Sequence, residues 1–291
     1  MNQGLLPTFE PSANDLIEMA LAQPLSVKID IAIKTLQMYA AEALRLSPDG
    51  YWLAYSGGKD SDVILELAKM AGVPYRPVYN VIIDPPELVR YIKREHPEVE
   101  LSHPKMALLT MMVNDPGCKG PPTRLARWCC GQFKEHGGDG TAKIIGVRIE
   151  ESPRRRNIWR VYNPNRRNHA GAIICPIAYW TERDVWEFHR LQTIPHCELY
   201  DEGFKRLGCV GCPLAGAITQ RKTLARWPKY EQAWRRATWR FWDRWHGVPK
   251  RNGEPRWFED FGSAQGLWDW WISGKAAEGD DGGCQMSLFE Y

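Results

Sequence analysis

Apolar positions recur at helical spacing through residues 1–48. Leu16, Met19 and Ala20 are followed by a stronger series, Val27, Ile31, Ile33, Leu36, Ala40 and Leu44. This spacing predicts two helices that cover a sheet. From Tyr51 the pattern alternates between short apolar runs and helix-period stretches: a strand over 51–55, a helix over 61–71, a strand over 75–83 and a helix over 86–95. After a less regular stretch, a helix is expected over 125–135 and a strand over 142–147. Strands alternating with helices imply right-handed crossovers and a parallel sheet covered on both faces, an α/β architecture. Thr181 offers an N-cap to a helix ending at Gln192, with Pro195 beyond it, and further helices are expected over 229–245 and 263–272. The organisation expected is a helical segment (1–48), an α/β domain (49–215), a Trp/Arg-rich helical appendage (216–273) and a Gly/Asp-rich mobile tail (274–291).

Between the first strand and its helix stands Ser56-Gly57-Gly58-Lys59-Asp60-Ser61. Glycines without a Cβ let the chain turn sharply and bring several backbone N–H groups to one anion. The helix that follows adds unsatisfied donors and the positive end of its dipole, with Asp60 or Ser61 as expected caps and Lys59 as a mobile charge. The bland alternative is a Gly-Gly turn that only links a strand to a helix. The strand before, the helix after and the lysine between them favour a phosphate cradle. The ordinary P-loop spacing is absent. In parallel sheets ligands bind beyond the carboxyl ends of the strands, where this loop falls.

Composition narrows the class. The 291 residues are 44% apolar and 25% charged, enough for one large domain with appendages or for two domains. No apolar run approaches the roughly 20 residues of a membrane span, and residues 1–10 lack the basic and apolar regions of an export signal, so a cytoplasmic location without a membrane partner is expected. Eight cysteines in such a chain point to metal, cluster or redox roles. The net charge of +3 does not announce nucleic acid, although basic residues gather over 124–167 and 221–256.

Cys129-Cys130 and Cys209-Val210-Gly211-Cys212 supply four sulfurs that suit either Zn(II) or an iron–sulfur cluster. Spacing alone does not choose between them. Arg148 follows a strand end and offers forked donors to a phosphate, Arg154 to Arg156 lie just beyond it, and Asp84 at the end of the second strand reads as a turn or helix cap. In the helix over 229–245, Trp234, Trp239, Trp242 and Trp245 interleave with Arg235, Arg236, Arg240 and Arg244. Such a face can stack on bases and neutralise phosphates. Alternatively Tyr230, Trp234, Ala237, Phe241 and Trp245 form a buried stripe. Cys118 reads as a loop thiol beside Lys119, with a sulfur relay or simple exposure as its roles, and Cys175 as core.

The loop resembles the pyrophosphate loop, S-G-G-x-D-S, of the PP-loop ATP pyrophosphatase superfamily. A narrower resemblance runs over roughly residues 50–215: Arg127-Trp128-Cys129-Cys130 with Lys134, Gly146-Val147-Arg148, Glu151-Ser152 with Arg154, Pro176-Ile177, Trp180-Thr181, Asp184-Val185-Trp186, Leu199-Tyr200, Gly208-Cys209 and Cys212-Pro213. These motifs are similar to those of the PAPS reductase family, which includes sulfonucleotide reductases and the ATP pyrophosphatases of DNA phosphorothioation (DndC type). The resemblance implies an adenine nucleotide α-hydrolase-like fold. It implies a nucleotide site of Ser56, Gly57, Gly58, Lys59, Asp60, Ser61, Asp84, Arg148 and Arg154, and a [4Fe–4S] cluster on Cys129, Cys130, Cys209 and Cys212.

Two departures separate the branches. The loop of the reductases usually lacks the lysine that stands here as Lys59. The reductases' nucleophilic cysteine sits in a Glu-Cys-Gly-x-His setting, whereas here the tail reads Gly283-Cys284-Gln285. The leading expectation is therefore an ATP pyrophosphatase that uses Mg·ATP, with Lys59 and Arg148 at the phosphates, serving sulfur transfer from a cysteine desulfurase to an acceptor such as nucleic acid. The alternative is a PAPS or APS reductase in which Cys284 attacks sulfur and a thioredoxin-like donor releases sulfite. A further alternative is a nucleic-acid-binding regulatory protein with a cysteine metal site.

Overall fold

The computed structural model describes residues 12–115, 120–135, 137–164, 171–250 and 252–275. Cys118, Cys284 and the tail beyond residue 275 lie outside them. Six strands form one sheet: β1 (Tyr51–Tyr55), β2 (Tyr75–Asn80), β3 (Glu100–Ser102), β4 (Lys143–Ile144), β5 (Tyr162–Pro164) and β6 (Ala172–Ile174), in the order β3-β2-β1-β4-β6-β5. The β1–β4, β2–β3 and β4–β6 pairs are parallel, in the registers Leu53↔Ile144, Val78↔Glu100 and Ile144↔Ile174. The β5–β6 pair is antiparallel, so the sheet is mixed rather than wholly parallel. The connection from Pro164 to Ala172 is too short for the crossover that a parallel pair requires.

Several elements differ from their sequence patterns for local reasons. The N-terminal stretch makes three helices, Ala13–Leu21, Leu25–Met38 and Ala40–Leu46, because the chain breaks once more at Tyr39. The helix after the loop is Lys59–Ala71, so Asp60 and Ser61 lie in its first turn and do not cap it. Strand β2 ends at Asn80, and the Ile82 N–H is taken by the Asp84 carboxylate at 3.0 Å. The helix expected over 125–135 is one α-turn, Trp128–Cys130, that widens into a π-helix at Gly131–Glu135; wide turns of this kind concentrate at functional sites. Among the described residues, no helix is long and apolar enough to cross a membrane.

By contact density the described residues fall into two compact units. The first draws on the described residues within 12–54, 59–77 and 140–196. Its core includes Leu36, Leu53, Val63, Leu67, Ile144, Ile174, Val185 and Phe188, all fully buried. Thr181 forms a capping box with Asp184 at the start of helix Glu182–Gln192, and Lys28, itself buried, donates to Asp184 Oδ2 at 2.6 Å and to the Leu21 carbonyl at 2.7 Å. A lysine and a carboxylate leave water together at low cost only when both are hydrogen-bonded, as here.

The second unit draws on the described residues within 55–58, 78–139 and 197–275. Its core is aromatic. Helix Pro228–Trp245 buries Trp234, Ala237, Thr238, Phe241 and Trp242, and helix Ala264–Ser273 buries Leu267, Trp268 and Trp271. Trp234 lies 4.8 Å from Trp271 between ring centroids, within the range of favourable aromatic pairs. The stripe of apolar residues read from the sequence is thus largely the packed face, while Arg236, Arg240 and Arg244 are exposed.

Candidate active site

The chain leaves β1 at Tyr55 and turns through Ser56, Gly57 and Gly58 before helix Lys59–Ala71 begins. Gly57 adopts φ +69°, and a Cβ there would stand 2.6 Å from Leu88 Cδ1 and 2.8 Å from Ile92 Cδ1. Only glycine meets both demands. A Cβ on Gly58 would lie 3.3 Å from the Tyr200 hydroxyl, so Tyr200 closes against the turn.

Within the first unit, the start of this helix carries a closed ring of charge. Lys59, 5% exposed, places Nζ 3.5 Å from Asp60 Oδ2 and 3.7 Å from Glu182 Oε1. Arg148, 4% exposed, donates from Nε to Asp60 Oδ1 and from Nη1 to Glu150 Oε2, both at 2.6 Å. The same Glu150 oxygen accepts the Glu182 backbone N–H at 2.7 Å, which completes the ring. Burial works against the Arg148 charge, and Asp60 more than restores it, so its pKa is raised. Gly146 permits this approach, because a Cβ there would lie 3.1 Å from the Asp60 carbonyl oxygen.

His189 pins the ring from below: its Nε2 lies 2.8 Å from the Lys59 carbonyl, and burial lowers its pKa. Its Nδ1 lies 3.4 Å from the Ile194 carbonyl, and since a carbonyl can only accept, Nε2 donates the shorter of the two bonds to Lys59. Glu150, Glu182 and His189 were not singled out from the sequence. Their weak signals are an acidic pair after Arg148, an acidic first helical turn and a histidine on an otherwise apolar helix face. Arg154 is exposed on helix Pro153–Ile158.

Within the second unit, the four cysteines of the tandem and C-x-x-C pairs share one electrostatic neighbourhood. Cys129 interacts with Cys130, Cys209 and Cys212, and all four are half-buried. The Cys129 thiol donates to Cys130, and together with Lys134 and Arg127 it holds Cys130 well below the ordinary thiol range against the cost of burial. Burial pushes Cys209 up to about 12, an effect that Lys134 opposes. Lys134, on the π-helix, is held protonated by Cys209 and then by Asp84, Cys130 and Cys212. Asp84 also faces Tyr79, whose hydroxyl burial and that carboxylate keep protonated, and its backbone oxygen accepts from Tyr230 at 3.0 Å. Asp84 therefore serves as a turn residue and as a counter-charge to Lys134. Among the described residues, no group of three or more His, Cys, Asp or Glu is arranged to hold a metal ion. The donor set nonetheless suits a thiophilic centre in kind: four sulfurs, one already favoured as thiolate. Cys175 is buried in the core of the first unit, as expected.

Among curated proteins, adenosine 5'-phosphosulfate reductase 2 of Bacillus subtilis is 28% identical over 155 residues, which cover 50% of this chain and 63% of that protein. An uncharacterized protein of Methanocaldococcus jannaschii is 27% identical over 161 residues, covering 52% of this chain and 31% of that protein. The chain thus spans less than two thirds of the length of these curated relatives. Among solved structures, phosphoadenylyl-sulfate reductase of Candida auris in its phosphate complex aligns with a TM-score of 0.44 at 15% identity, covering 69% of this chain and 97% of that one. FMN adenylyltransferase of Candida glabrata, in complex with FAD and inorganic pyrophosphate, aligns with a TM-score of 0.44 at 20% identity, covering 67% and 70%. Residues 50–215 match the phosphoadenosine phosphosulfate reductase domain. Because that match takes in more than half of the chain and extends from β1 to beyond Cys212, the chain belongs to the phosphoadenosine phosphosulfate reductase domain family.

Proposed function

We propose that this chain is an ATP pyrophosphatase that forms an adenylate in a sulfur-transfer reaction. The observation that carries the reading is the charge ring at the loop, in which two buried cations, Lys59 and Arg148, face three carboxylates, Asp60, Glu150 and Glu182. A bare phosphosulfate brought to this ring adds further negative charge to a surplus of carboxylates. Mg·ATP is still an anion, but it brings a divalent cation that these carboxylates attract directly or through its waters, and this favours it over a metal-free sulfonucleotide. Magnesium, when bound, supplies charge neutralisation at the phosphate oxygens.

The turn at 56–58 and the first turn of helix Lys59–Ala71 hold the β and γ phosphates on backbone N–H groups. An acceptor oxygen attacks the α phosphorus, a new O–P bond forms, and the Pα–O–Pβ bond breaks with its electron pair leaving on pyrophosphate. Lys59 and the forked Arg148 stabilise the charge that develops on the bridging oxygen. His189 keeps the first helical turn in place throughout. Cys129, Cys130, Cys209 and Cys212 would hold a [4Fe–4S] cluster, with zinc as the alternative; such a centre, when bound, supplies a fixed sulfur-rich locus. The terminal sulfur of a persulfide delivered by a cysteine desulfurase then attacks the activated acceptor, AMP leaves with the acceptor oxygen, and a second thiol cleaves the resulting S–S bond to free the sulfurated product. Nucleic acid fits as acceptor through the exposed Arg236, Arg240 and Arg244.

The test uses protein purified without oxygen, with pyrophosphate release from Mg·ATP measured beside sulfite release from PAPS or APS with thioredoxin. Pyrophosphate release should depend on magnesium and fall about 100-fold or more in Lys59→Met, the scale of losing one donor to developing charge. Sulfite release without ATP cleavage would overturn the proposal. The kinship with a protein named adenosine 5'-phosphosulfate reductase supports the second reading, in which the Cys284 thiolate attacks the sulfur of the phosphosulfate, the nucleotide leaves and a thioredoxin-like thiol frees sulfite. Under that reading Cys284→Ser abolishes sulfite release.

A further inference from the structure

The two residues between Cys209 and Cys212 have all four of their backbone polar groups bound, three of them by side chains beyond the family match. The Val210 N–H donates to the Ile83 carbonyl at 2.8 Å, and the Val210 carbonyl accepts Nε1–H of Trp234 at 3.0 Å. The Gly211 N–H donates to Thr223 Oγ1 at 3.0 Å, and its carbonyl accepts Nε2–H of Gln220 at 3.2 Å. Thr223 spends its own hydroxyl proton on the Gln220 carbonyl at 2.8 Å, which turns an oxygen lone pair toward Gly211. Val210, Trp234, Gln220 and Thr223 are all buried, whereas the flanking cysteines are half-buried. Gly211 sits at φ +76°, and a Cβ there would stand 2.9 Å from Trp234 Nε1 and 3.0 Å from Leu224 Cδ2. The peptide between the two cysteines is thus gripped at every backbone polar group.

We infer that Gln220, Thr223 and Trp234 form a clamp that fixes the Cys209–Cys212 hairpin in one conformation, making the C-terminal helices a working part of the sulfur site. A C-x-x-C turn left to itself samples several conformations, and presenting two sulfurs to one reacting centre requires that this freedom be removed beforehand. Helix Ala217–Arg226 contributes two of the three clamping side chains and helix Pro228–Trp245 the third. These are positioning residues, since none of them offers a reacting atom. The inference rests on the reading of the four cysteines as one sulfur site, and it is independent of which nucleotide is cleaved.

The test is alkylation of the full chain, stripped of metal by chelator and kept without oxygen, with iodoacetamide read cysteine by cysteine by mass spectrometry. Thr223→Val keeps the shape of the side chain and removes the acceptor. It should change the alkylation rates of Cys209 and Cys212 about fivefold, the factor carried by one hydrogen bond of ordinary strength, and speed amide exchange at Gly211, while Cys129 and Cys130 react as before. Thr238→Val is the control: Thr238 is fully buried on the same helix as Trp234 and donates to the Trp234 carbonyl at 3.0 Å, yet it makes no bond to the hairpin. Alkylation of Thr223→Val within twofold of wild type overturns the clamp. Equal changes in the Thr223 and Thr238 variants also overturn it, because they report general loosening. If Thr223→Val does not fold, Gln220→Met removes a single donor and is read by the same criteria. Wild-type protein that releases no pyrophosphate sinks the proposed function and leaves this measurement standing.

Discussion

Arg148→Lys tests the charge ring at its most demanding point. The guanidinium spans two carboxylates, Asp60 through Nε and Glu150 through Nη1, each at 2.6 Å. A lysine ammonium is a point charge on a flexible stem and cannot bridge both from one position. One charge-assisted bond is lost, worth about 1.5–3 kcal/mol when fully desolvated. Glu150 is 43% exposed, so water screens that side of the ring, and the expected loss of stability is nearer 1 kcal/mol. The effect on chemistry is larger, because the forked donor should align the phosphates only where its geometry matches theirs. A loss of about 2–3 kcal/mol in transition-state stabilisation lowers kcat/KM for pyrophosphate release roughly 30- to 150-fold. The assay pairs steady-state pyrophosphate release from Mg·ATP with thermal unfolding of the same preparation. A variant that unfolds at a slightly lower temperature yet keeps kcat/KM within twofold of wild type would refute the reasoning, since it would reduce Arg148 to a structural counter-ion of Asp60.

Three further outcomes follow from the same geometry. Lys28→Met strips the half-buried Asp184 carboxylate and the Leu21 carbonyl of their shared donor and should cost about 2 kcal/mol in urea unfolding, with part of that loss recovered by Asp184→Asn in the same chain; full additivity of the two changes would contradict the pairing. Gly57→Ala combines a left-handed backbone with a Cβ driven into Leu88 and Ile92, so it should lower stability by about 2 kcal/mol or more and abolish nucleotide binding measured by calorimetry; wild-type binding would show that the turn accepts another conformation. The folded pKa of His189 lies below the ordinary imidazole value of 6.5, so the unfolded chain binds the extra proton first. Its contribution to stability is therefore intact above that value and is lost as the pH falls from there toward the folded pKa. His189→Gln keeps a donor for the Lys59 carbonyl without titrating, and it should flatten the decline of the unfolding midpoint between neutral and mildly acidic pH. An unchanged decline would exclude His189 as its source.

What was legible in the sequence is what is local along the chain. The strand–turn–helix around residues 56–61 could be read because the glycines, the lysine and the helical period lie within a few residues of one another, and the capping box at Thr181 could be read for the same reason. Even there the helix start moved by two residues, since an apolar period does not register polar residues that enter the first turn. The partners that give the site its character lie far off in sequence: Arg148 is 88 residues from Asp60, and His189 is 130 residues from Lys59. No periodicity links such positions. The antiparallel β5 escaped notice because β5 and β6 are three residues each, too short for alternation to register.

Trp234 marks the boundary most sharply. Its place in a helical stripe of apolar residues reads as core, and it is core, at 1% exposed. Hydrophobic patterning weighs the whole side chain by its area and is blind to the one donor on the indole ring. Left unpaired when buried, that N–H costs free energy, and the acceptor it has is the carbonyl of the residue after Cys209. The residue that packs the C-terminal helices thus also ties them to the sulfur-bearing hairpin. The tie is set by hydrogen-bond satisfaction, a constraint that only becomes visible once the chain is folded.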